Sequence, residues 1–194
     1  VQVRIPTDFD MPAGGLSIRL PASPLAGPQA LEQELRLHKY KLAAAVAYAR
    51  ANNLDRVITD GPGRRFGIVT CGKSTLDVRQ ALEDLGLDEA ELRRLGVSLY
   101  KVGLTWPMEP QGARRFAEGL EEVLVVEEKR ALVENQLKQM LYDLPDAKRP
   151  RIIGKFDDAG EWILPSNDEL SPTMIARAIV RRLAKLTPVP ELEA

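Results

Sequence analysis

Residues 67–75 read GIVTCGKST and satisfy the pattern G-x-x-x-x-G-K-[ST] letter for letter. In a phosphate loop that spelling wraps backbone N–H groups around a nucleotide's phosphates. Lys73 would reach the terminal phosphate, and Ser74 or Thr75 would face the metal. The later run VLVVEE (123–128) has the look of the apolar, acid-ended strand that partners such loops. The flanking residues argue otherwise. A phosphate loop follows its strand, whereas Gly67 is preceded by GPGRRF, which is turn chemistry. Ile68, Val69, Thr70 and Cys71 resist the irregular φ angles of a phosphate nest and read as the strand itself. What remains is a strand ending at Cys71-Gly72, with Lys73 and Ser74 opening a helix. A helix N-terminus beside a lysine is a modest anion site. The simpler reading, in which Gly72 only makes the turn and Lys73 points to water, is favoured.

Other reactive side chains deserve the same comparison. Glu127, Glu128 and Lys129 follow a strand and have the form of paired carboxylates for proton transfer. No histidine or second acid supports them in sequence, so a solvated strand end is expected. His38, the sole histidine, sits between Arg36 and Lys39 on an amphipathic stretch and reads as surface. Cys71 at a helix N-terminus could be an activated thiol, or a small buried hydrophobe at a strand end. WPMEP (106–110) places Trp106 and Met108 in a Pro-bounded loop, a pair better suited to a partner surface than to a substrate.

The elements that position these residues alternate. Residues 1–28 are rich in Pro and Gly and lack helical period, so they read as an extended arm. A helix is expected from about 29 to 53 on its Ala, Leu, Glu, Lys and Arg content. DGPG (60–63) is a turn. Strands are expected at 66–70, 97–103, 122–126 and 151–154, the third a continuous apolar run of the kind buried in a parallel sheet. Helices should follow Ser74/Thr75, span 88–95, open at Pro110, carry Val133, Leu137, Met140, Leu141 and Leu144 on one face, and open again at Ser171-Pro172. The pattern predicts a three-layer α/β domain with a mostly parallel sheet. The boundaries it suggests are 1–59 for the arm and a linker helix, and 60–194 for the α/β domain.

Composition narrows the function classes. The 194 residues are 44% hydrophobic, with 27 Lys plus Arg against 28 Asp plus Glu, a net charge of −1. That balance points to neither nucleic acid nor an anionic membrane. One cysteine allows no internal disulfide and suits the cytoplasm. No apolar run approaches the roughly 20 residues of a membrane helix. The chain opens VQVRIP without methionine, as a processed product or a piece of a longer protein would.

Several stretches together resemble one family. FDMPAGGLSIRLP, LEQELRLHKYKLAAAVAYARANNLDR, GIVTCGKSTLDVRQALEDLG, VSLYKVGLTWPMEP, FAEGLEEVLVVEEKRALVENQLK and IIGKFDDAGEWILPSNDELSPTMIA are similar, in order and spacing, to a segment of fused proteobacterial indolepyruvate ferredoxin oxidoreductases. The resemblance implies a parent enzyme that oxidatively decarboxylates arylpyruvates with coenzyme A and reduces ferredoxin. It implies thiamine diphosphate, Mg and [4Fe–4S] clusters in that parent, and a transketolase C-terminal-like fold for residues 60–194. The family's cofactor motifs are missing here: no G-D-G…N run, no four-cysteine cluster run, and no residue matching the glutamate that activates the thiazolium. The chain itself is therefore expected to be non-catalytic, to hold no cofactor, and to serve packing and interface with other domains or subunits. Two rivals stand beside it. One is a module that binds a small anion or cofactor tail at the strand ends; the other is an independent nucleotide enzyme. Gly72, Lys73, Ser74, Trp106, Glu127 and Lys129 are the residues expected to form an interface or ligand edge, because parallel strands finish on one side of the sheet.

Overall fold

The computed structural model describes residues 2–6 and 27–187, and the chain divides into two compact units, Val1–Leu54 and Asp55–Ala194. Most of the expected arm lies outside the described residues. In the first unit, helices α1 (Pro28–Arg36) and α2 (Leu42–Ala51) are joined through a π-helical turn, Leu37–Lys41. Pro28 opens α1, where its missing N–H costs nothing. Asn52 closes α2 and exchanges two 2.7 Å hydrogen bonds with the backbone of Arg4. His38 is exposed on the π turn.

The second unit holds a five-stranded sheet. Its strands are β1 (Arg56–Thr59), β2 (Phe66–Cys71), β3 (Val97–Val102), β4 (Glu122–Val126) and β5 (Arg151–Ile153). They are ordered β1-β3-β2-β4-β5. The four strands anticipated from sequence are the parallel ones; β1 was not anticipated and runs antiparallel along β3. Period-two alternation sorts the strand residues between two cores. Leu124 and Val126 face one layer, built from α3 (Ser74–Asp84), α4 (Glu89–Arg94) and α7 (Pro172–Leu186). Val123 and Val125 face the other, built from α5 (Pro110–Ala117) and α6 (Val133–Leu141). The expected three layers are present.

Local chemistry sets the helix starts. Asp88 accepts from the Glu91 N–H at 2.9 Å, Glu109 from Gln111 and Gly112, and Ser171 from Met174. Pro110 and Pro172 occupy first-turn positions. Glycine is required at two places within the phosphate-loop spelling, and neither concerns phosphate. A Cβ on Gly67 would lie 2.6 Å from Leu120 and 3.0 Å from Phe116, so this glycine lets α5 and its C-terminal loop sit close on β2. Gly72 turns the chain out of β2 at φ +54°.

After β5 the chain makes a hairpin that sequence did not suggest. Phe156 and Trp162 pair across it, and Asp157 accepts from the N–H groups of Ala159 and Glu161 to close the turn. Helix α7 then packs beside α3.

Candidate functional site

The sheet order places a topological switch point between β2 and β4. The connection after β2 leads to β3 on one side, and the connection after β4 leads to β5 on the other. Chain leaving two adjacent strands in opposite directions opens a crevice at their carboxyl ends. A cleft of about 630 Å³ lies there, lined by Cys71, Gly72, Lys73, Thr105, residues 127–133 and Asn135.

Four of the six expected edge residues, Gly72, Lys73, Glu127 and Lys129, line this cleft together. Ser74 does not; its side chain is fully buried, and its Oγ has no hydrogen-bond partner among the described residues. Trp106 is absent from the lining, although its neighbour Thr105 takes part, and it stands 51% exposed on the loop after β3. The peptide between Trp106 and Pro107 is cis. That loop is held by Gln136, which accepts from the Met108 N–H at 2.9 Å and donates to the Thr105 carbonyl at 2.8 Å. The expected Trp106–Met108 pair is split, because Met108 is buried in the core of its own domain.

Glu127 is not a solvated strand end. It is 3% exposed, and its carboxylate accepts from the N–H groups of Leu132, Val133 and Glu134 at 2.9–3.0 Å. Helix α6 has no side-chain cap of its own, and Glu127 supplies the anion its N-terminus attracts. An external phosphate would find those three donors already occupied. Glu128 accepts from the Leu170 N–H at 3.1 Å, while Lys129 is exposed at φ +56°, a left-handed conformation that a lysine rarely adopts.

Lys73 is likewise engaged. Its Nζ lies 2.8 Å from Asp77, 2.9 Å from Glu169 and 3.8 Å from Glu128, and donates to the Leu170 carbonyl. Hydrogen bonds to Asp77 and Glu169 raise its pKa, and Lys73 in turn holds the Glu169 carboxyl below its ordinary value. The surroundings of Cys71 oppose thiolate formation, the reverse of what activates a nucleophilic thiol. Burial and the Glu127 carboxylate push the thiol up to about 11, against the nearby Lys155 ammonium. Lys155, which sequence reasoning passed over, is buried and donates to the Glu127 carbonyl. Burial pulls its pKa down, and Glu127, Glu128 and Glu134 oppose that.

The phosphate-loop reading ends here. Gly67 to Cys71 are strand residues paired with both β3 and β4 up to Thr70, so their N–H groups cannot ring a phosphate. Nor do the residues fit an iron–sulfur cluster of the kind implied by resemblance. A [4Fe–4S] cluster needs four thiolates, and the chain has one. Among the described residues no group of three or more His, Cys, Asp or Glu is placed to hold a metal.

Fold and crevice define an α/β domain of the open-sheet, switch-point kind. The description "Indolepyruvate ferredoxin oxidoreductase middle domain" matches residues 54–194, and the chain belongs to that family. It is 31% identical over 125 residues to the indolepyruvate oxidoreductase subunit IorA of Thermococcus kodakarensis, covering 64% of this chain and 17% of that protein. The corresponding subunit of Methanothermobacter marburgensis is 30% identical over 131 residues, 68% of this chain and 19% of its own. The chain thus spans under a fifth of the length of these relatives. A solved 2-oxoglutarate:ferredoxin oxidoreductase from Magnetococcus marinus, with 2-oxoglutarate, coenzyme A and succinyl-CoA bound, shares the fold at TM-score 0.51 and 20% identity. That likeness covers 90% of this chain and 27% of the solved one.

Proposed function

We propose that this chain acts as a domain of a cytoplasmic ferredoxin-dependent oxidoreductase that oxidatively decarboxylates indolepyruvate or a related arylpyruvate with coenzyme A. Thiamine diphosphate, Mg and iron–sulfur clusters belong, on this reading, to other domains or subunits, and the reduced product passes to ferredoxin. The domain itself is non-catalytic and contributes packing and interface. Among the described residues no helix is long and apolar enough to cross a membrane.

One observation carries this reading. At the switch-point crevice, where such sheets bind ligands, the chain's own groups already hold the two polar features best suited to a ligand. Glu127 fills the N-terminus of α6, and three acids surround Lys73, while Trp106 is left half-exposed on the loop after β3, next in sequence to the cleft residue Thr105. An exposed aromatic on a strand-end loop, at an edge whose charges are already paired, suits a protein surface, where a buried Trp anchors affinity and satisfied polar atoms cost little to desolvate.

The test compares Trp106→Ala and Lys129→Glu in this chain and in the full enzyme. The expected result is a melting temperature of this chain within about 2 °C of wild type, together with lost assembly or turnover of the enzyme. Unfolding of this chain by Trp106→Ala, with Lys129→Glu silent in the enzyme, would make Trp106 core and the edge plain surface.

A second reading has its own observation. Lys129 in its left-handed conformation and Arg130 beside it line the cleft and are exposed. They give it two cations for a small anion or the phosphate tail of a cofactor. Saturable binding of pyrophosphate in a calorimetric titration, lost in Lys129→Ala/Arg130→Ala, would favour this module over pure packing.

A further inference from the structure

The hairpin after β5 carries a second exposed aromatic feature, and two strands, β2 and β4, separate β5 from the β3 whose loop holds Trp106. Phe156 and Trp162 stack with ring centroids 6.1 Å apart and planes 16° from parallel, and each is more than half exposed, at 54% and 53%. The hairpin beneath them is not loose. Asp157 binds Arg181 at 2.8 Å; Asp158 binds Arg182 at 2.6 Å and both Arg151 and Lys185 at 3.2 Å. Arg182, with no exposed side-chain surface, continues from Asp158 to the buried Glu122. The turn is therefore tied to α7 and to the starts of β4 and β5. A rigid platform of this kind presents two aromatic faces without an ordering cost when something covers them.

We propose that the Phe156–Trp162 pair seats against a neighbouring domain of the same enzyme, so that the middle domain is gripped on the β5 side as well as at the Trp106 edge. This rests on the functional reading above. Two observations select the occupant. The first is size. The open halves of these two rings amount to about 200 Å², against roughly 800 Å² per partner in a stable interface between separate molecules. A second copy meeting the pair alone would not stay bound. A domain joined in one enzyme would, since linkage raises its effective concentration to the millimolar range, and the curated relatives are more than five times longer than the stretch matched here. The second is charge. The four cations that meet the turn are all paired with Asp157 or Asp158, which leaves no cluster of free positive charge for a polyanion.

Hydroxyl-radical footprinting read by mass spectrometry tests this on aromatic side chains directly. Phe156, Trp162 and Trp106 are followed in this chain, at low and high concentration, and in the full enzyme. The proposal expects Phe156 and Trp162 to be oxidised readily in this chain at both concentrations and at least fivefold more slowly in the enzyme. Equal oxidation in the two samples overturns it. So does protection already present in this chain, whether constant (another segment covers the pair) or growing with concentration (a second copy does). Trp106 separates the two ideas. Protection of Trp106 in the enzyme while Phe156 and Trp162 stay open removes the second contact and leaves the functional reading intact. Full exposure of all three removes both.

Discussion

Two charged hubs, one at each end of the strands, illustrate how the same residue types serve different ends. At the amino end Arg182 is fully buried and forks onto Glu122 at 2.6 and 2.7 Å, with a third bond to Asp158. At the carboxyl end Lys73 reaches three acids, yet its side chain is 47% exposed. Bidentate geometry and burial make the first hub structural, since neither Arg182 nor Glu122 can be solvated if the other is lost. Water competes at the second, so its bonds set the shape and field of the cleft wall and add little to stability. Arginine occurs where two planes must match, lysine where a mobile point charge suffices.

Breaking the buried hub should have the largest effect. Arg182→Ala strands the buried Glu122 carboxyl without its partner, and should lower the unfolding free energy by about 3–5 kcal/mol. Chemical denaturation of this chain measures it. Adding Glu122→Leu should recover part of the loss, because the stranded carboxyl is removed. The hub also sets the acid limit. Arg182 beside Asp158 holds that carboxyl well below the usual range. Its contribution is present above the ordinary aspartate pKa of about 3.9 and lost as pH falls toward the depressed value. Arg182→Ala should therefore move acid unfolding to higher pH.

Glu127 is intermediate, buried like the first hub but placed at the cleft like the second. Glu127→Gln keeps one acceptor and turns an amide toward N–H groups that also donate. The expected cost is about 1–3 kcal/mol, with fraying of α6 visible as faster hydrogen exchange at Leu132 to Glu134. A variant as stable as wild type would show that the three bonds are no better than those to water.

The difference between the hubs also explains what sequence could reveal. Continuous apolar runs such as 122–126 and helix signals such as Ser171-Pro172 are local, and the parallel strands and main helices were legible from them. Strand β1 was not. It has four residues, a register shift between Val57 and Thr59, and no alternation to mark a buried face. The hairpin at 155–163 was hidden because its aromatic pair faces solvent, where no period betrays it. The role of Glu127 depends on a loop returning three N–H groups to it. A usable signal did exist: α6 begins at Leu132-Val133, which offers no capping oxygen, so an acid nearby had to serve. The fate of Lys73 was the least legible, since Glu169 and Leu170 arrive from the far end of the sequence.

The smallest effect belongs to that lysine. Lys73→Ala removes three ion pairs at once, and by count alone should hurt as much as Arg182→Ala. Its partners, however, are not stranded. Glu169 is exposed, Asp77 sits in the first turn of α3 where the helix dipole favours an anion, and Glu128 keeps the Leu170 N–H. Each acid can turn to water when the ammonium is gone. The melting temperature of this chain should therefore stay within about 2 °C of wild type, and 0.5 M salt should leave even that difference smaller, because exposed pairs are screened. What should change is the cleft. Without Lys73 the acids near Glu128 are unbalanced, so any anion drawn by Lys129 and Arg130 should bind more weakly in Lys73→Ala than in wild type. A melting temperature lowered as far as that of Arg182→Ala would mean that the lysine hub is shielded from water, and the distinction between the two ends of the sheet would fail.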